Sequence, residues 1–216
     1  MDISTANEFS GTFSIIAISP DSRLMGIAVA SGSTSVGDRV PHAKPTIGII
    51  ATQAYTNVNY GINGLKLLNE DLSPQEALNK LLEEDSERNL RQVAIMDFKR
   101  RKAIFTGANV YMYSAEVVGE DYIAIGNLLS KKEVISNMAR QFKSSSGDLA
   151  SRLVEALKAG SQSGGDKRGE KSAALIVINT ERVEIEIKIR AHSNPIEELL
   201  CKLKNLGQSN KNAFFV

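Results

Sequence analysis

Residues 12–31 read TFSIIAISPDSRLMGIAVAS, two apolar and β-branched runs separated by the tripeptide PDS. Each run has the length of a strand and PDS is a typical turn, so the segment predicts strands over 12–19 and 24–31. A third run, IGIIATQA (47–54), has the same character. Because all three runs place apolar residues on both faces, we expect a sheet that is covered on both sides.

Outward from this stretch, strands and helices follow one another in groups. Further strands are predicted over residues 91–98, 102–107, 122–129, 173–179 and 182–190, and helices around 65–68, from Ser73 onward, and over 131–143, 147–160 and 194–207. Grouped strands and inserted helix pairs favour an α+β fold with layered sheets over a doubly wound fold. With no linker or repeat in sight, we expect a flexible leader over 1–11, one domain over 12–207 and a tail over 208–216.

The composition excludes several classes of protein. The formal net charge of +1 over 216 residues gives no basic tail or stripe for nucleic acid. No run approaches the ~18 apolar residues that span a bilayer. One cysteine allows no internal disulfide, and two histidines with one cysteine are too few for a zinc cluster. We therefore expect a cytoplasmic protein with no metal, no cofactor, no nucleic-acid partner and no membrane association.

The dipeptide Gly11-Thr12, where the first strand begins, is the first candidate for chemistry. A threonine hydroxyl is a weak nucleophile, but the α-amine of an N-terminal threonine, with a pKa of about 8, can act as its base. Glycine before the threonine leaves its carbonyl open to attack, which suits self-cleavage. The plainer interpretation is a β-branched residue that starts a strand.

Two other segments carry polar groups. In ATQAYTN, Gln53 and Asn57 lie at the end of the third strand and could bind a substrate or an oxyanion, or satisfy a turn. The segment GGDKRGEKS (164–172) approaches a phosphate loop, but a helix precedes it and a strand follows, which excludes nucleotide binding there. Its Asp166 and Arg168 could still line a site, or belong to a solvated connection.

Single residues are weaker candidates. Lys44 lies just before the third strand, where a lysine is usually solvated but could lower the pKa of a nearby amine. Cys201, between Leu200 and Leu203 on the last helix, predicts a buried structural thiol. The terminal FFV (214–216) could pack on a second copy of the chain or form a loose apolar tail.

In this order, TFSIIAISPDSRLMGIAVAS, VGDRVPHAK, GIIATQAYTN, RQVAIMD and GGDKRGEKSAALIV resemble the domain-of-unknown-function family ten-twenty-eight. The resemblance runs from Thr12 to about Leu203. That family looks like a branch of the N-terminal nucleophile (Ntn) hydrolase fold, so the resemblance implies an α+β, four-layer αββα sandwich. The activity of the family is not established.

The resemblance also implies roles for residues. Thr12 stands where the family has the residue that follows the initiator methionine, and would be the catalytic nucleophile. By analogy with proteasome-type Ntn enzymes, Lys44 would be a second catalytic residue that tunes the α-amine of Thr12, and Ser31 would take the accompanying acidic position.

Ser31 and the remaining site residues would bind the substrate. Gln53 and Asn57 would hold the substrate or its oxyanion, and Asp166, Arg168 and Ser172 would line the far wall of the pocket.

The expected function is an Ntn-type hydrolase of a small amide or peptide-like bond, acting on a small-molecule or peptide-like substrate as a homo-oligomer. Eleven residues precede Thr12, so removal of the initiator methionine alone would not free its amine. Either translation starts later, or the Gly11–Thr12 bond is cut, or Thr12 is never terminal. The alternative is a non-catalytic ligand-binding or assembly protein on the same fold.

Overall fold

The structure, a computed structural model, describes residues 11–111 and 113–212, with the side chains of the last helix described up to residue 208. The predicted leader, apart from Gly11, lies outside the described residues, as does the FFV segment (214–216) of the predicted tail.

Ten strands in the described part of the chain form two antiparallel sheets. In chain order they are β1 (Thr12–Ile18), β2 (Met25–Ser31), β3 (Pro41–Lys44), β4 (Gly48–Ala54), β5 (Arg91–Asp97), β6 (Lys102–Thr106), β7 (Ala115–Val118), β8 (Tyr122–Asn127), β9 (Ser172–Ile178) and β10 (Val183–Ile189). One sheet has six strands in the order β10-β9-β2-β1-β8-β7, and the other has the order β3-β4-β5-β6. The predicted hairpin of β1 and β2 thus forms the centre of the larger sheet.

Five α-helices accompany the sheets in this part of the chain. They are α1 (Asn59–Asn69), α2 (Pro74–Glu83), α3 (Glu133–Ser144), α4 (Leu149–Gln162) and α5 (Pro195–Asn212). The beginning of α2 follows its sequence signal, because Ser73 and Glu76 form a reciprocal capping box around the first turn. At α4, the side chain of Asp148 accepts the Ser151 N–H.

Three hydrophobic clusters hold the elements together. One lies between α3, α4, α5 and the six-stranded sheet, the second joins the two sheets, and the third joins α1 and α2 to the four-stranded sheet. Successive strand residues serve different clusters, since Ile15 belongs to the first and Ile16 to the second. Likewise, Ile49 belongs to the second and Ile50 to the third. The α+β class is confirmed, and the apolar character of both strand faces has a direct cause in this arrangement.

Two of the described strands were not predicted from the sequence, and the prediction for one residue is wrong. The edge strands β3 and β7 have only four residues each, too few to give a clear apolar period. Cys201 is exposed, so the prediction of a buried thiol is wrong. The buried positions of α5 among the residues with described side chains are Pro195, Ile196 and Leu199, all of which precede Cys201. Within the described residues, no helix is both long and apolar enough for a bilayer span.

The packing of α4 on the larger sheet gives a stability prediction. Leu153 is fully buried there, so Leu153→Ala lowers the free energy of unfolding by about 2–5 kcal/mol through lost burial and a residual cavity. Urea unfolding followed by circular dichroism measures this change. The matched control is Leu206→Ala on α5, where the side chain is 46% exposed, and its effect stays within about 0.5 kcal/mol. Equal losses in the two variants would contradict the assignment of α4 to the core.

Candidate functional site

Thr12 lies where three strand ends meet. It is the first residue of β1, and it pairs with Ser31, the last residue of β2, and with Asn127, the last residue of β8. Because neighbouring strands are antiparallel, the start of β1 lies beside the ends of β2 and β8. Thr12 is only 1% exposed. The topology therefore gathers three polar residues at one edge of the sheet.

The Ser31 hydroxyl joins Thr12 to the peptide before it. Thr12 Oγ1 donates a hydrogen bond to Ser31 Oγ at 3.3 Å, and Ser31 Oγ donates to the carbonyl oxygen of Gly11 at 2.6 Å. The backbone N–H of Ser33 donates to Ser31 Oγ at 3.1 Å, which directs the Ser31 hydrogen toward Gly11. One side chain thus contacts both the hydroxyl of Thr12 and the carbonyl that Thr12 would attack.

The glycine-rich loop after α4 brings Asp166 to the same place. The loop turns sharply because Gly164, Gly165 and Gly169 have φ angles of 116°, 52° and 77°, which disfavour any side chain. Asp166 then forms an isolated antiparallel bridge with Leu129, just beyond β8. This connection fixes the loop against the strand ends around Thr12.

The Asp166 carboxylate and the Arg168 guanidinium flank Gly11. Asp166 is fully buried at its side chain and pairs with Arg168 Nε at 3.1 Å and Nη2 at 2.9 Å. The N–H of Gly32 donates to the same carboxylate at 2.7 Å, and Arg168 Nη2 lies 3.4 Å from the Gly11 carbonyl oxygen. A Cβ on Gly11 would come within 2.5 Å of Asp166 Oδ2. Only glycine fits between this carboxylate and the threonine.

A network of buried amides lies beneath Thr12, between the two sheets. Gln53 Nε2 donates to the carbonyl oxygen of Thr12 at 3.2 Å and to Gln92 Oε1 at 2.8 Å. Gln53 Oε1 accepts the Ser14 hydroxyl at 2.5 Å, and Asn127 Nδ2 donates to Gln92 Oε1 at 3.1 Å. All four network side chains belong to residues no more than 2% exposed. Both ends of the Gln53 amide are therefore engaged inside the protein, where they hold the backbone of Thr12.

Ser172 supports the loop that follows β2. It pairs with Ser31 across β2 and β9, and its hydroxyl donates to the carbonyl oxygen of Ser33 at 2.5 Å. Ser172 Oγ also accepts a hydrogen bond from the N–H of Val36 at 3.1 Å. These contacts place Ser172 behind Ser31.

Asn57 lies just before α1, and its side chain makes a local hydrogen bond there. Asn57 Oδ1 accepts the N–H of Asn59 at 3.0 Å, just at the start of α1. This is the turn-forming role that the sequence analysis left open for it. Asn57 thus orders the connection between β4 and α1.

Lys44 lies away from Thr12. It is exposed, and its Nζ donates to Asn69 Oδ1 at 3.3 Å. Its partner in β4 is Gly48, five residues from Gln53, which corresponds to about 17 Å along the strand. The separation of Thr12 and Lys44 in the chain therefore does not translate into proximity across the sheets.

An ion-paired cluster fixes the end of β4 near the site. Arg91 Nη1 donates to the carbonyl oxygen of Tyr55 at 2.8 Å, while its Nε pairs with Asp85 at 2.8 Å. Burial acts to raise the pKa of the Asp85 carboxyl, but hydrogen bonds from Arg91, Tyr60 and the Glu87 N–H outweigh it and hold that pKa below its usual value. The segment that carries Gln53 is thereby tied to β5.

Two amide residues of the site were not predicted. Gln92 in RQVAIMD and Asn127 in YIAIGN were treated only as parts of strands, although each is an amide in an otherwise apolar run. A buried amide needs partners, so such a residue indicates a polar network when several strands converge.

A mixed α+β fold of two antiparallel sheets surrounds this threonine-centred polar site. The chain belongs to the family described as "Family of unknown function (DUF1028)", whose model matches residues 12–199, and the family expected from the sequence is confirmed. The crystal structure of protein SPO2555 from Silicibacter pomeroyi, of the same family, is similar to it. That likeness has 32% identity and a TM-score of 0.84, and covers 90% of this chain and 88% of the other.

More distant likenesses are also found. Anbu (ancestral beta-subunit) from Yersinia bercovieri has 12% identity and a TM-score of 0.44, covering 94% of this chain and 96% of its own. An Anbu mutant from Hyphomicrobium sp. strain MC1 has 11% identity and a TM-score of 0.37, covering 95% and 99%. TM-scores this low do not establish a shared fold. A search of the curated proteins found no match.

The buried Asp166 carboxylate gives a second stability prediction. Asp166→Ala lowers the free energy of unfolding by about 2–3 kcal/mol, because the Gly32 N–H and the Arg168 guanidinium lose a buried acceptor. Urea unfolding of proteins whose N-termini have been matched by intact mass measures it. The control, Glu181→Ala, removes an exposed carboxylate and changes stability by no more than about 0.5 kcal/mol. A loss no larger than that of the control would mean that the pair does not hold the loop.

Proposed function

We propose that this protein is an Ntn-type hydrolase that cleaves a small amide or peptide-like bond, with Thr12 as the nucleophile once the Gly11–Thr12 bond is cut. The observation that carries the proposal is that one buried hydroxyl, that of Ser31, contacts both Thr12 Oγ1 and the Gly11 carbonyl oxygen. The order of helices, sheets and hydrophobic clusters supports the four-layer αββα sandwich that such an enzyme would use.

A terminal Thr12 would contain both reacting groups. Its α-amine, with an ordinary pKa of about 8, lies within reach of its own hydroxyl and can accept the proton as the hydroxyl attacks. Gln53 would hold the residue in place through the Thr12 carbonyl, as it does in the intact chain. Because Gln53 is on β4 of the other sheet, the nucleophile would be fixed from both sheets.

The Gly11 carbonyl indicates how a substrate would bind. Ser31 Oγ and Arg168 Nη2 lie 2.6 and 3.4 Å from its oxygen, and the same donors would stabilise negative charge on a substrate carbonyl placed there. The Asp166 carboxylate closes the space beside Gly11. A small acyl group, without a substituent on the side of Asp166, fits this space.

Lys44 and Asn57 have no part in this proposal, because their contacts lie elsewhere. The homo-oligomer and the cytoplasmic location stay predictions. Light scattering after size-exclusion chromatography would measure the oligomeric state.

Intact-mass spectrometry with an electrophilic probe tests the proposal. The wild type loses residues 1–11 and then gains one acyl group from a β-lactone, because the freed Thr12 attacks the probe. Thr12→Ala keeps the full mass and stays unlabelled, whereas Thr12→Ser keeps a hydroxyl and is still labelled. The control Thr46→Ala, at an exposed threonine, behaves as the wild type.

The opposite result is equally clear. An uncut, unlabelled wild type, together with an unlabelled chain produced to begin at Thr12, would contradict the hydrolase. It would favour the non-catalytic ligand-binding or assembly protein.

A further inference from the structure

We propose that Ser31 relays a proton from Thr12 to the Gly11 carbonyl oxygen when the Gly11–Thr12 bond is cut. The inference rests on the proposed function and concerns the step that precedes it. In the intact chain the nitrogen of Thr12 is a peptide amide, which has no basic lone pair, so the base of the mature enzyme does not yet exist. The proton of the attacking hydroxyl needs another acceptor.

The charged carboxylate of the site is already occupied. The side chain of Asp166 accepts hydrogen bonds from the Gly32 N–H, the Arg168 N–H and the Arg168 guanidinium. Each oxygen of the carboxylate accepts two of these hydrogen bonds, so its lone pairs are already engaged. Ser31, by contrast, is an acceptor toward Thr12 and a donor toward Gly11 at the same time.

The three oxygens form a directed chain. Thr12 Oγ1 lies 3.3 Å from Ser31 Oγ, and Ser31 Oγ lies 2.6 Å from the Gly11 carbonyl oxygen. The Ser33 N–H occupies a further lone pair of the Ser31 hydroxyl and fixes its orientation. The first distance is long for a hydroxyl pair, and such contacts commonly shorten as the transition state forms.

The attack can be written without separated charge. Thr12 Oγ1 bonds to the carbonyl carbon of Gly11, its proton passes to Ser31 Oγ, and the Ser31 proton passes to the carbonyl oxygen. Ser31 is unchanged, and the product is a neutral tetrahedral intermediate in a five-membered ring. Neutrality matters because isolated charge is costly in a site as buried as this one.

Collapse of the intermediate completes the cut. The carbon–nitrogen bond breaks, the hydroxyl proton passes to the Thr12 nitrogen, and the carbonyl re-forms as an ester between Gly11 and Thr12 Oγ1. Water then hydrolyses the ester, which releases residues 1–11 as a carboxylic acid and restores the threonine hydroxyl. The freed α-amine becomes the base for later turnovers.

Cell-free synthesis followed by timed intact-mass spectrometry tests the relay. Ser31→Ala slows release of residues 1–11 by about 10²–10⁴-fold, the range expected when a proton-transfer group is removed. The matched control is Ser33→Ala, which keeps the backbone N–H that contacts Ser31 and releases the peptide at the wild-type rate. Release by Ser31→Ala at the wild-type rate would overturn the relay.

A second comparison separates a relay from a simple hydrogen-bond donor. The wild-type and Ser31→Ala proteins are both produced as chains that begin at Thr12, where the α-amine supplies the base. The rate at which a β-lactone acylates each of them is then measured. We expect the factor by which Ser31→Ala slows peptide release to be at least about tenfold larger than the factor by which it slows acylation. Equal losses would overturn the relay and leave Ser31 as a donor to the carbonyl.

The wild type provides a test that does not depend on the folding of a variant. When its rate of release of residues 1–11 is plotted against the D₂O fraction of the solvent, we expect a curved decrease, because two protons move in the same step. A straight line would overturn the relay. If the proposed hydrolase function is wrong, the chain that begins at Thr12 is not acylated, which distinguishes that failure from failure of the relay. An acylated Thr12 chain with an uncut wild type would overturn the relay alone.

Discussion

The ion pair between Asp166 and Arg168 is the interaction on which the site depends. A buried carboxylate is costly unless it is paired and hydrogen-bonded, and here the guanidinium and backbone N–H groups share that task. Because one of those N–H groups belongs to Gly32 and the pair itself belongs to the loop after α4, the interaction fastens that loop to the end of β2. The surroundings of Gly11 follow from this attachment.

The amide network joins residues from both sheets at the site. Gln53 and Gln92 come from β4 and β5, while Ser14 and Asn127 come from β1 and β8 of the larger sheet. Each buried amide forms a hydrogen bond with another amide, as buried polar groups require. Together these hydrogen bonds fix how the two sheets pack at the end near Thr12. Elsewhere the contact between the sheets is apolar, as with Ile16 and Ile49. Polar partners set the register where non-directional apolar contacts would not.

Much of the fold could be predicted because the signals are local. The apolar runs of β1, β2 and β4 and the capping box of α2 depend on neighbouring residues alone. The short edge strands β3 and β7 have little apolar pattern, because each has only four residues and most of these are half-buried or exposed. Each pairs with the strand that follows it in the chain. The exposure of Cys201 depends on which side of α5 meets the sheet, and two flanking leucines do not decide that.

The predicted site residues also differ in how well the sequence placed them. Thr12, Ser31, Asp166 and Arg168 were expected from family resemblance, and the fold gathers them around one peptide bond. Lys44 was expected by analogy with proteasome-type Ntn enzymes, but the register of β3 and β4 decides its distance from Thr12.

The crowding of Gly11 against Asp166 has a consequence for the direction of the proposed reaction. Cutting the peptide would turn an uncharged carbonyl into an anion that shares the Arg168 guanidinium with the Asp166 carboxylate. Like charges repel strongly where water is excluded. Repulsion from the Asp166 carboxylate would thus favour departure of the released peptide and disfavour re-formation of the bond.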